Sequence, residues 1–500
     1  MLTEAAKTPR IRLIIIALIT SFVLHACAAF FSEGRSHPDA DYQILEFANA
    51  KLGTESHLTL PWEFFEKIRP ALQPAIALVI HQSAADLDPF RTAALLRWIS
   101  ALLGFASVWV LCLYSFRWLP ERGTKIVLLF GTTFFWLLPY LHSRFSSEAW
   151  AGIFLALAIV LVDRACEAAD RNRLWTALMA GLTLGLVFYL RFPTAFAILG
   201  IGLWAMIIAR PGLKIMAVLA CGFVGAVGIN LVLDGWFYGE WTLTPWNYFV
   251  ANLVEGRAAS YGVDPWWYYL EKIFVLYVPP MSIVVIGALA IVVVLRPKHI
   301  LTWTAVFFLV GHSWVGHKET RFLMPLAYPL LVAAVIGVQA LLERRSTLAR
   351  HLMDRRWVKA FILLCASLNG IAVAYASFMP ASQEAVIHKW IYQQATRDNM
   401  NLVIFDQHPY HDGKGMISFF RSPGVHFIKA ESEGDFDQIL RAAKAPVYVF
   451  SASVYPSPLL EARCRTLALA ASAIPSWVRS VDLGRWLADL RVWSIYRCQD

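Results

Sequence analysis

The sequence predicts an α-helical polytopic membrane protein of about eleven spans, followed by a small external α/β domain. Three observations carry that reading. Of 500 residues, 58% are hydrophobic and only 16% charged, whereas soluble domains carry about 25% charged residues. Long apolar runs recur from residue 11 to residue 378, and mean hydropathy over the chain is +0.54. Beyond residue 379 the composition turns soluble.

Windows of about 19 residues place apolar runs at 11–31, 91–116, 124–140, 147–163, 174–190, 195–209, 213–233, 273–295, 300–315, 323–342 and 358–378. The first follows Lys7, Arg10 and Arg12 and resembles a signal peptide. No small-residue cleavage site precedes the charged stretch from Glu33, so it reads as a retained anchor. Positive charge concentrates in alternate loops: Lys7 to Arg12; Arg117, Arg122 and Lys125; Arg164, Arg171 and Arg173; Arg210 and Lys214; Arg296 and Lys298; and Arg344, Arg345, Arg350, Arg355, Arg356 and Lys359. That side is expected to face the cytoplasm, which leaves 32–90, 234–272 and 379–500 outside. The net charge of +9 is then a topological bias and no sign of nucleic-acid binding.

The chain divides into a membrane domain, 1–378, with a first external loop at 32–90, and an external α/β domain, 379–500. In the latter, NLVIFDQ at 401–407 and APVYVFSAS at 445–453 read as buried strands. Trp236, Trp241, Trp246, Trp266 and Trp267 suit a membrane interface. Five of seven cysteines lie in or beside apolar runs; Cys464 and Cys498 share the external tail, where a disulfide can persist or the two can stay apart. There is no Walker motif, no G-x-G-x-x-G and no Cys/His zinc spacing, which argues against an ATP-driven pump.

Ionisable residues collect at the outward ends of the spans. A charge at the bilayer centre costs about 2.5–3.5 kcal/mol, so such residues belong in a polar cavity or at the surface. His317, Lys318, Glu319 and Arg321 sit in HKETR; Arg144 and Glu148 in HSRFSSEAW; Arg191 in LRFPTA; Asp234, Tyr238 and Asn247 in LDGWFYGEWTLTPWNYF. For any one of them interfacial anchoring is the competing reading, but four polar knots on one side point to a shared outward cavity. In the first loop, a helix beginning at Pro38 puts Asp39, Gln43 and Glu46 on one face. A carboxylate held there can accept a proton from a sugar hydroxyl. Asp39-Ala40-Asp41 also spells D-x-D, a metal-ligand spacing elsewhere, yet on a helix those side chains diverge by roughly 200°. Trp62 and Glu63 follow in LPWEFFEKIRP, as substrate contacts or as residues that dock the loop. Asp234, Tyr238 and Asn247 likewise either touch sugar or shape a turn.

HKETRFLMP resembles the His-Lys-Glu-x-Arg-Phe-x-x-Pro signature of glycosyltransferase family 22, the membrane α-mannosyltransferases of N-glycan precursor and GPI-anchor assembly. HPDADYQILE is similar to that family's Pro-Asp-Glu-x-x-Gln-x-x-Glu stretch, SRFSSEAW to its Arg-Thr-x-Ser-Asn-x-x-Glu, RFPTA to its Arg-Pro-Thr, and LDGWFYGEWTLTPWNYF to its Asp-x-x-x-Tyr-Gly-x-Trp-x-x-Thr-Pro-x-Asn-Phe. The resemblance implies a GT-C fold that takes mannose from a polyprenyl (dolichyl)-phosphate donor on the non-cytoplasmic face and inverts its anomeric configuration. It implies that His317, Lys318, Arg321 and Arg144 receive the donor phosphate. Asp39, or Asp41 where Pro-Asp-Ala-Asp replaces Pro-Asp-Glu, takes the acceptor proton. Gln43, Glu46, Trp62, Glu63, Glu148, Arg191, Asp234, Tyr238, Asn247 and Glu319 are expected to line the substrates. No metal or nucleotide is called for, and the expected partners are the lipid-phosphate sugar, a glycan or lipid-linked acceptor and membrane lipids. A GT-C transferase for another sugar and a lipid-linked glycan transporter are the alternatives; the transporter should show an internal repeat and charge knots on both faces, and neither is visible. No Asn-x-Ser/Thr occurs in the chain, which favours a bacterial inner membrane over the endoplasmic reticulum.

Overall fold

The computed structural model describes residues 9–53, 60–83, 88–167, 172–344, 356–405, 407–411, 415–443, 446–453, 458–464, 466–471 and 491–498. Lys7, Arg171, Arg345, Arg350 and Arg355, which helped set the expected orientation, lie outside the described residues. By contact the chain forms two compact units: Met1–Phe30, Glu63–Ala75 and Leu96–Phe378, and Phe31–Trp62, Ile76–Leu95 and Met379–Asp500. The sequence reading kept the whole first loop with 1–378; contacts instead group 31–62 and 76–95 with the tail.

The first unit is helical. Its main helices are α1 (Ile11–Phe31), α2 (Pro89–Ser115, whose residues up to Leu95 fall in the second unit), α3 (Arg122–Phe134), α4 (Leu137–His142), α5 (Ser147–Cys166), α6 (Arg173–Leu190), α7 (Ala195–Trp204), α8 (Leu213–Tyr238), α9 (Met281–Leu295), α10 (Ile300–Trp314), α11 (Ala327–Arg344) and α12 (Arg356–Phe378). Among the described residues, eight helical segments are long and apolar enough to cross a membrane, which marks an integral membrane protein. The other three of the eleven apolar runs are helical but short, and the sequence says why. Run 124–140 breaks at Phe135, whose backbone is extended, so α3 has 13 residues and reaches about 20 Å. Pro279-Pro280 cuts run 273–295 and delays α9 to Met281. Pro297 then separates α9 from α10, 15 residues each, and the pair bends by 116°; taken as one broken span it brings the number to nine.

Packing follows the rules of helices in lipid, where small residues and buried polar pairs do the joining. Helix α6 packs on α5 and α8. A side chain at Gly181 would meet Leu219 O at 2.0 Å, so only glycine lets α6 and α8 come this close. Thr124 Oγ1 donates to Gln339 Oε1 at 2.6 Å and Thr132 shares a 2.8 Å bond with Tyr328, fastening α3 to α11. The core around them is apolar and includes Leu128, Leu155, Ile159, Phe308 and Val332.

The second unit contains the α/β fold expected of the tail. Strands β1 (Met400–Ile404), β2 (Val425–Lys429), β3 (Val447–Ser453), β4 (Thr466–Ala471) and β5 (Arg491–Cys498) form one sheet in the order β2-β1-β3-β5-β4. β1 runs parallel to β2 and β3, and β5 antiparallel to β3 and β4. Successive residues of β1 face opposite sides: Leu402 joins Ile387, Ile391, Tyr410 and Phe450, whereas Val403 joins Phe436, Val449 and Cys498. Helix α13 (Gln383–Arg397) covers the first face and α14 (Glu433–Ala442) the second. Cys464 and Cys498 form a disulfide. In the same unit the first loop builds a π-helical turn, Asp41–Leu45, continued by the α-helix Glu46–Leu52, which Gly53 ends at φ 75°.

Candidate functional site

Each ionisable knot of the first unit sits where a helix starts or stops. Ser146 caps α5 by accepting from Ala149 N–H at 3.3 Å, and this starts the helix one residue before Glu148. Helix α6 ends at Leu190, and Arg191 is extended before the turn Phe192–Thr194, where Pro193 prevents continuation. Beyond α10, Val315 is extended and the 3₁₀ segment Thr320–Leu326 carries Arg321. That segment lies against α5 because position 152 is glycine: a methyl there would sit 3.0 Å from Pro325 Cα.

These breaks bring three distant motifs together. Glu148 Oε1 lies 3.2 Å from Arg191 Nη1 and 3.4 Å from Arg321 Nη1. Arg321 also holds Glu319, Nε to Oε2 at 2.6 Å and Nη2 to Oε1 at 2.9 Å. His317 Nε2 is 3.1 Å from Glu319 Oε1, and its Nδ1 is 3.1 Å from Gly262 O. Phe322 lies under both guanidiniums, 4.8 Å from Arg191 and 5.5 Å from Arg321. Glu148, Arg191 and Arg321 are all buried. The result is a string of contacts, His317–Glu319–Arg321–Glu148–Arg191, in which two carboxylates balance two guanidiniums.

Two nominated cations stand differently. Lys318 is buried, and its ammonium donates to Val315 O at 2.7 Å, Asp264 O at 2.8 Å and Gly316 O at 3.2 Å. Three protons meet three carbonyls, so Lys318 fastens the turn after α10 to residue 264. Arg144, buried just before α5, turns Nε onto Tyr140 O at 3.1 Å and lays its guanidinium over the Tyr140 ring.

The loop after α8 acts as a clamp. Asp234, fully buried, accepts from Ala71 N–H at 2.8 Å, Tyr189 Oη at 2.7 Å and Thr244 Oγ1 at 2.6 Å. Tyr238 Oη donates to Arg69 O at 2.7 Å, and Asn247 Nδ2 to Glu66 O at 3.2 Å. Asp234 and Tyr238 pin the segment around 66–71 to the end of α8, and Asn247 pins it to the following helix Thr244–Phe249, which is the turn-shaping alternative. Glu63 lies 3.8 Å from Arg69, and Trp62 is half-buried on the short helix Trp62–Phe65.

In the second unit the first-loop stretch presents a buried polar face: Asp39, Gln43, Glu46 and Asn49. Asp41 Oδ2 is held by Arg35 Nη1 at 2.8 Å, and Asp39 Oδ1 lies 3.5 Å from His37 Nδ1. Glu46 Oε2 accepts from Ser418 Oγ at 2.5 Å and Oε1 from Phe419 N–H at 2.7 Å. Burial pushes the Glu46 pKa up to about 7 against those two bonds. Among the described residues no three His, Cys, Asp or Glu gather as metal ligands. Sequence reasoning missed Arg35, Phe322, Ser418 and Phe419. Arg35 and Phe322 lie inside or beside quoted motifs, but nothing local marks Ser418 or Phe419.

The fold is that of the GT-C membrane glycosyltransferases: the chain matches ArnT from Cupriavidus metallidurans bound to undecaprenyl phosphate with a TM-score of 0.52 over 97% of both chains, at 12% identity. The profile of the Alg9-like mannosyltransferase family matches residues 16–412, and the chain belongs to that family. It is 26% identical over 323 residues to GPI mannosyltransferase 3 of Candida albicans, covering 62% of this chain and 61% of that one. To human GPI alpha-1,2-mannosyltransferase 3 it is 25% identical over 326 residues, 62% of this chain and 54% of the relative. To the probable Dol-P-Man:Man(7)GlcNAc(2)-PP-Dol alpha-1,6-mannosyltransferase of Schizosaccharomyces pombe it is 30% identical over 111 residues, 22% of this chain and 20% of the relative. The chain spans less than two thirds of the length of these relatives.

Proposed function

We propose that the chain is an inverting glycosyltransferase that moves mannose from a polyprenyl-phosphate donor to a glycan or lipid-linked acceptor on the non-cytoplasmic face of its membrane. The observation that carries the proposal is the meeting of Arg191 and Arg321 on Glu148 in a chain of this family. Departure of a lipid phosphate develops negative charge, and preorganised guanidiniums are the strongest local means of stabilising it. An arriving phosphate competes with Glu148 and Glu319 for the same donors, and His317 can add a third. The reaction is one displacement: the acceptor oxygen bonds to C1 of mannose as the C1–O bond to phosphate breaks. The acceptor proton passes to a carboxylate. We assign it to Asp39, by its place in the Pro-Asp stretch, with Asp41 as the alternative.

Three further points support the reading. The Schizosaccharomyces pombe relative carries Dol-P-Man in its name, and the ArnT neighbour binds undecaprenyl phosphate. A lipid phosphate supplies its own leaving group, so neither nucleotide pocket nor metal is required. The Cys464–Cys498 disulfide fits a tail in an oxidising compartment, periplasm or lumen; we favour the periplasmic side of a bacterial inner membrane.

The test is transfer by the purified full chain from polyprenyl-phosphate-mannose to a panel of glycolipid acceptors. Arg321→Ala and Asp39→Asn should each abolish transfer in protein that still elutes as a folded species. Near-normal transfer by both variants would overturn the assignment. Transfer from another polyprenyl-phosphate sugar only would replace mannose and leave the site.

A further inference from the structure

Within the second unit, residues 415–420 of the tail lie along the first-loop helix that follows Asp39 and Asp41. Four contacts fix them. Tyr42 Oη donates to Gly415 O at 2.9 Å, and Asn49 Nδ2 to Ser418 Oγ at 3.0 Å. Glu46 takes the Ser418 hydroxyl on one oxygen and the Phe419 amide on the other, at 2.5 and 2.7 Å. A second set joins the start of the loop to α13 and the residues just before it: Ala381 N–H donates to Glu33 O at 2.7 Å, and Lys389 of α13 reaches Glu33 at 2.6 Å. Aromatic contacts of His81 with Phe419 and of Phe90 with Phe420 close the far side.

We propose that the segment 415–420 is a strap that positions the candidate base, and that Glu46 is the positioning residue through which it acts. The proposal rests on the reading above that Asp39, or Asp41, takes the acceptor proton. Glu46 sits one helical turn or less beyond Asp41–Leu45, so its side chain sets the rotation of the stretch that presents both aspartates. A turn of π-helix is the reason an external hold is needed. Its wider ring is rarer and less stable than α-helical turns, and Asp41–Leu45 must keep that form for the buried polar face to stay in register. Glu46 is 2% exposed, too deep to touch a sugar in this arrangement, yet it spends both oxygens on tail donors. A buried carboxyl used this way is a fastening. The role that follows for the tail domain is orientation of the first loop, with no need for a substrate site of its own.

The experiment uses the full chain in nanodiscs, with Glu46→Ala, Ser418→Ala and Glu46→Gln. Hydrogen exchange is read at amides 41–50 and 415–420 and, as a control, in β1 and β3. Transfer kcat and donor KM are read in parallel. Glu46→Ala should speed exchange at both sites by about tenfold or more, leave the sheet protected, and lower kcat at unchanged donor KM. Ser418→Ala should move the same readings less. Glu46→Gln restores them, since its carbonyl accepts from Phe419 and its amide donates to Ser418. Unchanged exchange at 41–50 in Glu46→Ala overturns the strap, as does a loss of kcat matched by lost protection in β1 and β3. If the wild type transfers no mannose at all, the mannosyltransferase reading fails while the exchange arm still decides the strap.

Discussion

Arg191 and Arg321 converge on a single oxygen, Glu148 Oε1, at 3.2 and 3.4 Å. Two guanidiniums this close repel each other unless an acid lies between them, and both are buried. Removing Glu148 therefore leaves uncompensated charge in the interior, which costs about 3–5 kcal/mol. Glu148→Ala should lower thermal stability markedly, and Glu148→Ala/Arg191→Ala should recover part of the loss because Arg321 keeps Glu319. A double-mutant cycle on unfolding midpoints measures this. Strict additivity of the two substitutions would mean that the three side chains do not act as one group. Arg321→Ala alone should reduce transfer by at least about 100-fold.

Lys318 and Arg321 stand three residues apart in one motif and separate cleanly by partner. Lys318 gives its protons to three backbone carbonyls, whereas Arg321 faces carboxylates that a phosphate can replace. Lys318→Met should lower the melting temperature and leave donor KM within about twofold, the loss being that of buried carbonyl partners, about 1–3 kcal/mol. Arg321→Lys should keep the fold and raise donor KM, because an ammonium cannot reproduce a bidentate fork. Steady-state kinetics with graded donor reads both, and a donor KM shift in Lys318→Met as large as in Arg321→Lys would return Lys318 to the phosphate.

Asp234 holds three donors from three parts of the chain: Ala71, Tyr189 and Thr244. Asp234→Ala strands all of them in a fully buried place, at about 1–3 kcal/mol for each group left unpaired. The segment around 66–71 should then become susceptible to limited proteolysis before the remainder of the first unit unfolds. Tyr238→Phe, which loses only the bond to Arg69 O, should show a weaker form of the same change. Proteolysis unaltered in Asp234→Ala, with transfer lost, would move Asp234 from clamp to substrate contact.

The convergence of Glu148, Arg191 and Arg321 was legible because each motif interrupts an apolar run, and a charge at such an edge needs a polar partner. The breaks on either side of α9, at Pro279-Pro280 and Pro297, escaped the sequence reading because a hydropathy window averages over them. What the sequence could not separate was destination. An acid at the end of a span looks the same whether it meets substrate, as expected of Asp234, or a backbone amide 163 residues away. Lys318 reads as a phosphate ligand beside Arg321, since capping carbonyls leave no mark in side-chain chemistry. The hold of Ser418 and Phe419 on Glu46 was invisible for a related reason: a hydroxyl and a main-chain amide carry no motif, and the pairing crosses more than 370 residues.

Glu46 also gives the strap a pH dependence whose sign follows from burial. Loss of hydration pushes its pKa to about 7, the bonds from Ser418 and Phe419 oppose this, and Asp41 adds to it. Arg35 faces Asp41, His81 faces Phe419, and 415–420 itself contains no ionisable side chain. An undocked glutamic acid titrates near 4.3, so the docked state favours the protonated acid. Docking is therefore strongest below about pH 4.3, weakens as pH rises towards about 7, and is flat above it, a total of about 4 kcal/mol at most. Exchange at 415–420, corrected for its intrinsic pH dependence, should accelerate across that window in the wild type. In Glu46→Gln, which cannot ionise, the slope should vanish while docking persists. A slope of the same size in Glu46→Gln would assign the titration to His81 or Asp41 instead.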